Sequence, residues 1–211
     1  YHSQLIKIEI TMLRRLFHHC VFLLLCLPLS VFAQQKEATE GVYSASPADS
    51  IKHFDIPTGL EIELVASEPQ VIDPIAIRFD ANGRMWVVEM NDYPSGNGTS
   101  RIKLLEDLDS DGTFETAHLF ADDLVFATGI QPWKEGVIVT LAGQVVYMKD
   151  TDGDHKADVQ ERWYSGFAED NQQLRANHPR FGIDQKIYIA NGLRGGVVKN
   201  TRDEQSKELN I

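Results

Sequence analysis

Pro74-Ile75-Ala76-Ile77-Arg78-Phe79-Asp80-Ala81-Asn82-Gly83-Arg84-Met85-Trp86-Val87-Val88 carries the reading of the fold. Ile75, Ile77 and Phe79 recur at every second position, the period of a strand with one buried face. Asp80-Ala81-Asn82-Gly83 makes a turn, and Met85 to Val88 is an apolar run. Asn-Gly between two such runs is a strong hairpin signal. The unit then returns. Thr128-Gly129-Ile130-Gln131-Pro132-Trp133-Lys134-Glu135-Gly136-Val137-Ile138-Val139-Thr140 matches it, and so does Pro179-Arg180-Phe181-Gly182-Ile183-Asp184-Gln185-Lys186-Ile187-Tyr188-Ile189-Ala190. The second strands begin near Met85, Val137 and Ile187, at steps of 52 and 50 residues.

Between the hairpins a second piece repeats. Ile102-Lys103-Leu104-Leu105-Glu106-Asp107 leads into Asp109-Ser110-Asp111-Gly112, and Val146-Tyr147-Met148-Lys149-Asp150 leads into Asp152-Gly153-Asp154. Each unit therefore holds about four strands. A period of roughly 40–50 residues with four strands is the signature of a β-propeller blade. The predicted fold is all-β, with about three blades of about 50 residues between residues 54 and 211. A β-sandwich is the alternative, although a sandwich needs no internal self-similarity. Closed propellers use about four to eight blades, so the expectation is an amino-terminal portion of a longer propeller. Leu60-Glu61-Ile62-Glu63-Leu64-Val65 also alternates and is expected to be a strand. No helical period extends over three turns of residues 34–211.

Upstream of the repeats, Met12 opens a secretory signal expected over residues 12–33. Arg14 and Arg15 are its positive region, Val21 to Leu27 its short apolar core, and Val31-Phe32-Ala33 its cleavage site. The core is too short for an ordinary span, although an uncleaved anchor is the alternative. Residues 1–11 are expected to be an upstream translated extension, and residues 34–53 a flexible polar tether. An exported chain, periplasmic or extracellular and open to membrane association, follows. Past the signal the chain carries 17 basic and 30 acidic residues, a net charge of −13. Such a field repels nucleic acid and anionic lipid. Both cysteines, Cys20 and Cys26, fall within the signal. What remains has no disulfide, no thiolate and no Cys-x-x-Cys-His, hence no haem attached to this chain.

The acidic loops carry the metal expectation. Asp107, Asp109, Asp111 and Glu115 share their spacing with Asp150, Asp152, Asp154 and Asp158, at positions 1, 3, 5 and 9. Carboxylates so spaced converge on one point, and Ca²⁺ accepts six to eight oxygens in irregular geometry. Glu161 falls where a calcium loop places its bidentate Glu, whereas His118 stands there in the first loop. His155 replaces the glycine favoured at position 6 of the second. The alternative is that these residues only build solvated turns.

Phe54 to Pro69, Ile72 to Ala76, Met85 to Pro94, Lys103 to Asp107, Lys149 to Asp154 and Asn171-Gln172-Gln173 together resemble the membrane-bound dehydrogenase N-terminal domain family of planctomycete-type bacteria. That family is a β-propeller similar to soluble quinoprotein glucose and sorbosone dehydrogenases. The resemblance implies an exported six-bladed propeller that oxidises a sugar or polyol through pyrroloquinoline quinone. Longer members continue into a cytochrome c domain that takes the electrons.

By the same resemblance, His178 is the candidate base, and Arg175, Asn177, Arg180, Asn191 and Arg194 are candidates to hold the quinone. Many relatives read Asn-Gln-Gln-His where this chain has Leu174 in fourth place, so the usual base is missing. His178 could replace it or could be an ordinary loop residue. Trp86, Trp133 and Trp163 read as packing residues rather than sugar platforms. A non-catalytic, calcium-stabilised propeller binding carbohydrate or protein is the competing function.

Overall fold

The computed structural model describes residues 46–211. The signal segment, residues 1–11 and most of the tether lie outside the described residues. The described end of the tether is ordered into a short helix, α1 (Pro47–Ser50), followed by a 3-10 turn over Ile51–His53. Ser46 caps α1 by accepting the Asp49 N–H at 3.1 Å, with Pro47 in the first turn. This Ser-Pro pair is a helix-start signal, and it was passed over because only one turn follows it. No helix among the described residues is long and apolar enough to cross a membrane.

The strands that follow all pair antiparallel, beginning at residue 74. Strands β1 (Pro74–Phe79), β2 (Met85–Glu89), β3 (Ser100–Glu106) and β4 (Thr116–Leu124) pair in sequence order as a first sheet. Strands β5 (Gly129–Trp133), β6 (Gly136–Leu141), β7 (Gln144–Lys149) and β8 (Val159–Phe167) repeat that order. The third hairpin is β9 (Asn177–Phe181) with β10 (Ile187–Ala190). There the repetition changes. Strand β11 (Gly196–Asn200) pairs with β8 rather than β10, and β12 (Leu209–Asn210) extends it, giving a six-stranded sheet β12-β11-β8-β7-β6-β5.

The hairpin turns follow the sequence signals. Phe79 pairs with Met85 around the Asp80–Arg84 turn, where Gly83 takes φ +80°. The Asp80 carboxylate accepts the Asn82 and Arg84 amides, the Arg84 Nε and, at 3.1 Å, the Trp86 indole N–H. One side chain thus ties the turn to the strand it feeds.

Strand β2 is buried along its whole length because both of its faces are covered. Trp86 and Val88 join Ile102, Leu104, Phe120 and Leu124 against Ile130, Val137, Val139, Leu141, Val146 and Met148 of the second sheet. Met85 and Val87 point the other way, onto Leu105 and Phe114, with Ala66 and Val71 packed over them. Full burial of each such aliphatic contributes about 1.5–3 kcal/mol.

The covering segment corrects the expected strand at 60–65, which pairs with no strand among the described residues. Val65 offers its carbonyl to the Phe114 N–H at 2.8 Å, while Leu60 stays 62% exposed. Alternation supplies a strand's two faces but cannot supply a ladder partner.

The first strands of the units lie beside one another, β1 against β5 and β5 against β9. A Cβ on Gly129 would sit 2.7 Å from the His178 amide nitrogen, so β5 and β9 approach backbone to backbone. At the other margin, the Ala157 N–H donates to the Phe120 carbonyl at 2.8 Å, fastening the β7–β8 loop to β4.

Candidate functional site

The two acidic loops share one backbone shape. Position 4 is left-handed in both, Ser110 at φ +63° and Gly153 at +86°. So is position 6, Gly112 at +93° and His155 at +65°. His155 therefore makes the turn that a glycine would make more easily. The first carboxylate organises each loop. Asp107 accepts the amides of Asp111 and Gly112, and Asp150 accepts those of Asp152, Gly153 and His155. The Gly153 N–H is the chief cause that holds the Asp150 carboxyl below its ordinary range.

Carboxylate oxygens of Asp107, Asp109 and Glu115 lie within 4.8 Å of one another, and those of Asp150, Asp152 and Asp158 do the same. These are positions 1, 3 and 9 of each loop. Position 5 turns aside: Asp111 accepts the Thr113 amide and Asp154 the Lys156 amide. Glu161 lies on β8 opposite Tyr147, where it accepts the Trp163 indole N–H at 3.2 Å. Three clustered carboxylates repel one another unless a cation stands among them, and an all-oxygen donor set suits a hard one.

A second, cationic cluster forms on the first strands of the first and third hairpins, β1 and β9. Arg180 Nε donates to His178 Nε2 at 2.9 Å. Partial burial first, then Arg180 and Arg78, push the His178 pKa below its ordinary value. Burial and then Arg180 likewise depress Arg78. Arg78 Nε and Nη2 are shielded from water and have no hydrogen-bond partner among the described residues. Arg78 escaped sequence reasoning, yet the repeat contained it: Arg78-Phe79 and Arg180-Phe181 occupy the same place in their hairpins, just before the turn.

Of the other sequence candidates, Asn177 and Asn191 serve the loops that carry them, whereas Arg175 Nε and Nη1 are buried with no hydrogen-bond partner among the described residues. Arg175 is buried over the Phe126 ring, 4.1 Å from its centroid, with Nη2 on the Glu169 carbonyl. Asn177 donates to the Arg175 carbonyl. Asn191 closes its own turn onto the Gly192 and Gly195 carbonyls, and Arg194 faces Asp170 at 3.8 Å. Glu89 and Asp92, at the end of β2 and just past it, are fully buried. Glu89 pairs with Lys103 at 3.1 Å, and Asp92 accepts the Phe126 amide.

Trp86 packs edge-on against Phe120 in the core. Trp133 and Trp163 instead line a cavity of about 1100 Å³ between the six-stranded sheet and the β9–β10 hairpin. There Tyr147 stacks on Trp163 at 4.9 Å, and the Arg202 guanidinium covers the Trp163 ring.

Fold and site together define an all-β protein of repeated antiparallel hairpins, with paired acidic loops and a cationic cluster on β1 and β9. Residues 46–211 match the family model described as Domain of unknown function (DUF7133), and the chain belongs to that family. No curated protein and no solved structure matches it.

Proposed function

We propose that this chain supplies blades of a β-propeller of the quinone-dependent dehydrogenase type, acting on a sugar or polyol, with calcium in its two acidic loops. One observation carries the reading. The first strands of three successive hairpin units lie side by side, β1 against β5 and β5 against β9, and the first two units each run through four antiparallel strands in sequence order. First strands placed in this way suit blades arranged around a common axis, as in a propeller. The resemblance to the planctomycete dehydrogenase domain supports the same architecture, export of the chain and transfer of electrons to a cytochrome c domain.

Pyrroloquinoline quinone carries carboxylates, and the donor set of this cluster fits that charge. The unpaired nitrogens of Arg78 and the guanidinium of Arg180 would hold carboxylate oxygens as charge-assisted hydrogen bonds. Asn191 is held within its own turn, and Arg194 faces Asp170 of the β8–β9 loop. When bound, such a quinone accepts the two electrons taken from an alcohol carbon. His178, kept neutral by burial and two nearby cations, would take the hydroxyl proton at Nε2 once Arg180 turns toward the cofactor.

The test is titration of the protein with pyrroloquinoline quinone in the presence of Ca²⁺, followed by dye reduction with aldoses and polyols. Arg78→Ala and Arg180→Ala should weaken quinone binding at least about tenfold, in line with loss of a charge-assisted bond. His178→Asn should bind quinone but not turn over. Quinone binding that ignores both arginines would overturn the assignment.

The large cavity favours a second reading, a non-catalytic module that binds carbohydrate within it, against a wall that includes Trp133, Tyr147 and Trp163. Sugar-dependent quenching of tryptophan fluorescence, lost in Trp163→Ala and present without quinone, would decide for it.

A further inference from the structure

Beside the first acidic loop stands a cluster of different chemistry. Glu106 is the last residue of β3, His118 lies in β4, and His155 arrives from the β7–β8 loop of the second sheet. His118 Nε2 is 3.1 Å from a Glu106 carboxylate oxygen, and the two imidazoles stack at 4.1 Å, tilted by 26°. One donor atom from each of the three residues lies within 4.8 Å of the others, and all three side chains are half-buried.

We propose that Glu106, His118 and His155 form a transition-metal site, zinc foremost, that joins the first sheet to the second. Two imidazole nitrogens and one carboxylate suit zinc, nickel or copper, whereas calcium prefers oxygen alone. Three protein ligands leave a fourth position for water. With bonds of about 2.0–2.2 Å, a zinc ion spans donors roughly 3.5 Å apart. The two partly exposed rings must turn out of their stack for their lone pairs to meet on the ion, and that turn closes the set. The metal takes the Nε2 lone pair of His118, and its ring proton moves to Nδ1, so no proton need be lost.

The approach is built into the backbone. Asp150 accepts the His155 amide at 2.9 Å and holds that residue left-handed, and the Ala157 N–H anchors the same loop to Phe120 of β4. His155 thus reaches across the joint from a fixed base. The two sequence departures that weaken a calcium loop, His118 for Glu and His155 for Gly, are the residues that meet.

Cobalt titration of the full chain, with Ca²⁺ in excess, tests this directly. Visible d–d bands of a four-coordinate site should appear at one equivalent and vanish on adding zinc. His118→Ala, His155→Ala and Glu106→Gln should each weaken cobalt binding at least about tenfold, whereas Asp184→Asn, in the β9–β10 turn, should leave it unchanged. Circular dichroism will show that the variants remain folded, and His118→Asn, which keeps a polar side chain, gives a second check. Cobalt bands absent from the wild type, or undiminished in the folded histidine variants, would overturn the site.

Discussion

Strands β6 and β10 have almost the same sequence character, Val137-Ile138-Val139-Thr140 against Ile187-Tyr188-Ile189-Ala190, yet their surroundings differ. Strand β6 lies between β5 and β7 and is buried at every position. Strand β10 has only β9 beside it and alternates between half-buried and exposed, with Tyr188 56% exposed. The alternation of a strand is local, but its burial is conferred by neighbours. Here the neighbour expected for β10, strand β11, has joined β8 instead. The ladder partner, not the residue type, separates the two.

Four measurements press on that contrast. The largest effect is expected at the Lys103–Glu89 pair of the first sheet, whose carboxylate is fully buried. Lys103→Met strands that charge and should cost about 3–5 kcal/mol in chemical denaturation. Arg194→Met, at the exposed Asp170 pair beside the third hairpin, should cost about 1 kcal/mol at most. Similar costs would erase the distinction between the two regions.

Ile130→Ala opens a cavity in the core shared by the first and second sheets and should cost about 2–5 kcal/mol. The same change at Ile189 should cost no more than about 1 kcal/mol, because that side chain already borders open space. A smaller effect concerns calcium. Millimolar Ca²⁺ should raise the melting temperature by about 5 °C and slow amide exchange in the β3–β4 and β7–β8 loops. The β9–β10 turn, which lacks an acidic triad, should not respond. Asp109→Asn and Asp152→Asn should each remove part of the rise. A melting temperature indifferent to calcium would count against both loops.

The finest test is His178. Its pKa is lowered by burial, Arg180 and Arg78, so the unfolded chain binds a proton first as pH falls through the ordinary imidazole value. Stability should therefore drop with acidification across that window and stop dropping below the folded pKa. Arg180→Ala should raise the His178 pKa, read by proton NMR, and narrow the window.

Much of this architecture was legible in the residues. The turn at Asn82-Gly83 and its two recurrences located all three hairpins, because turn chemistry and period-two alternation are local properties; the face of β1 expected to be buried, that of Ile75, Ile77 and Phe79, is instead its exposed one. The acidic loops were readable in their shared spacing of positions 1, 3, 5 and 9, of which 1, 3 and 9 come together, while position 5 and Glu161 do not join them. What stayed hidden was non-local. Nothing in Leu60 to Val65 says that no ladder awaits it, and nothing in Val197 says that β11 will cross to β8. Arg78 was overlooked for the same reason: its meaning depends on Arg180, a hundred residues away, reaching the same place. Arg175, Asn191 and Arg194 look free in sequence and are engaged in space.

One consequence of the first strand is colloidal. Strand β1 leaves Ile75 at 47%, Ile77 at 46% and Phe79 at 56% exposure, an oily stripe on an edge strand. Unpaired edges of this kind invite docking between copies. The chain's net charge of −11 opposes such contact, but only over the reach of its ionic atmosphere, about 10 Å in 0.1 M salt. Dilute buffer should therefore keep the molecules apart, and added salt should draw them together stripe to stripe.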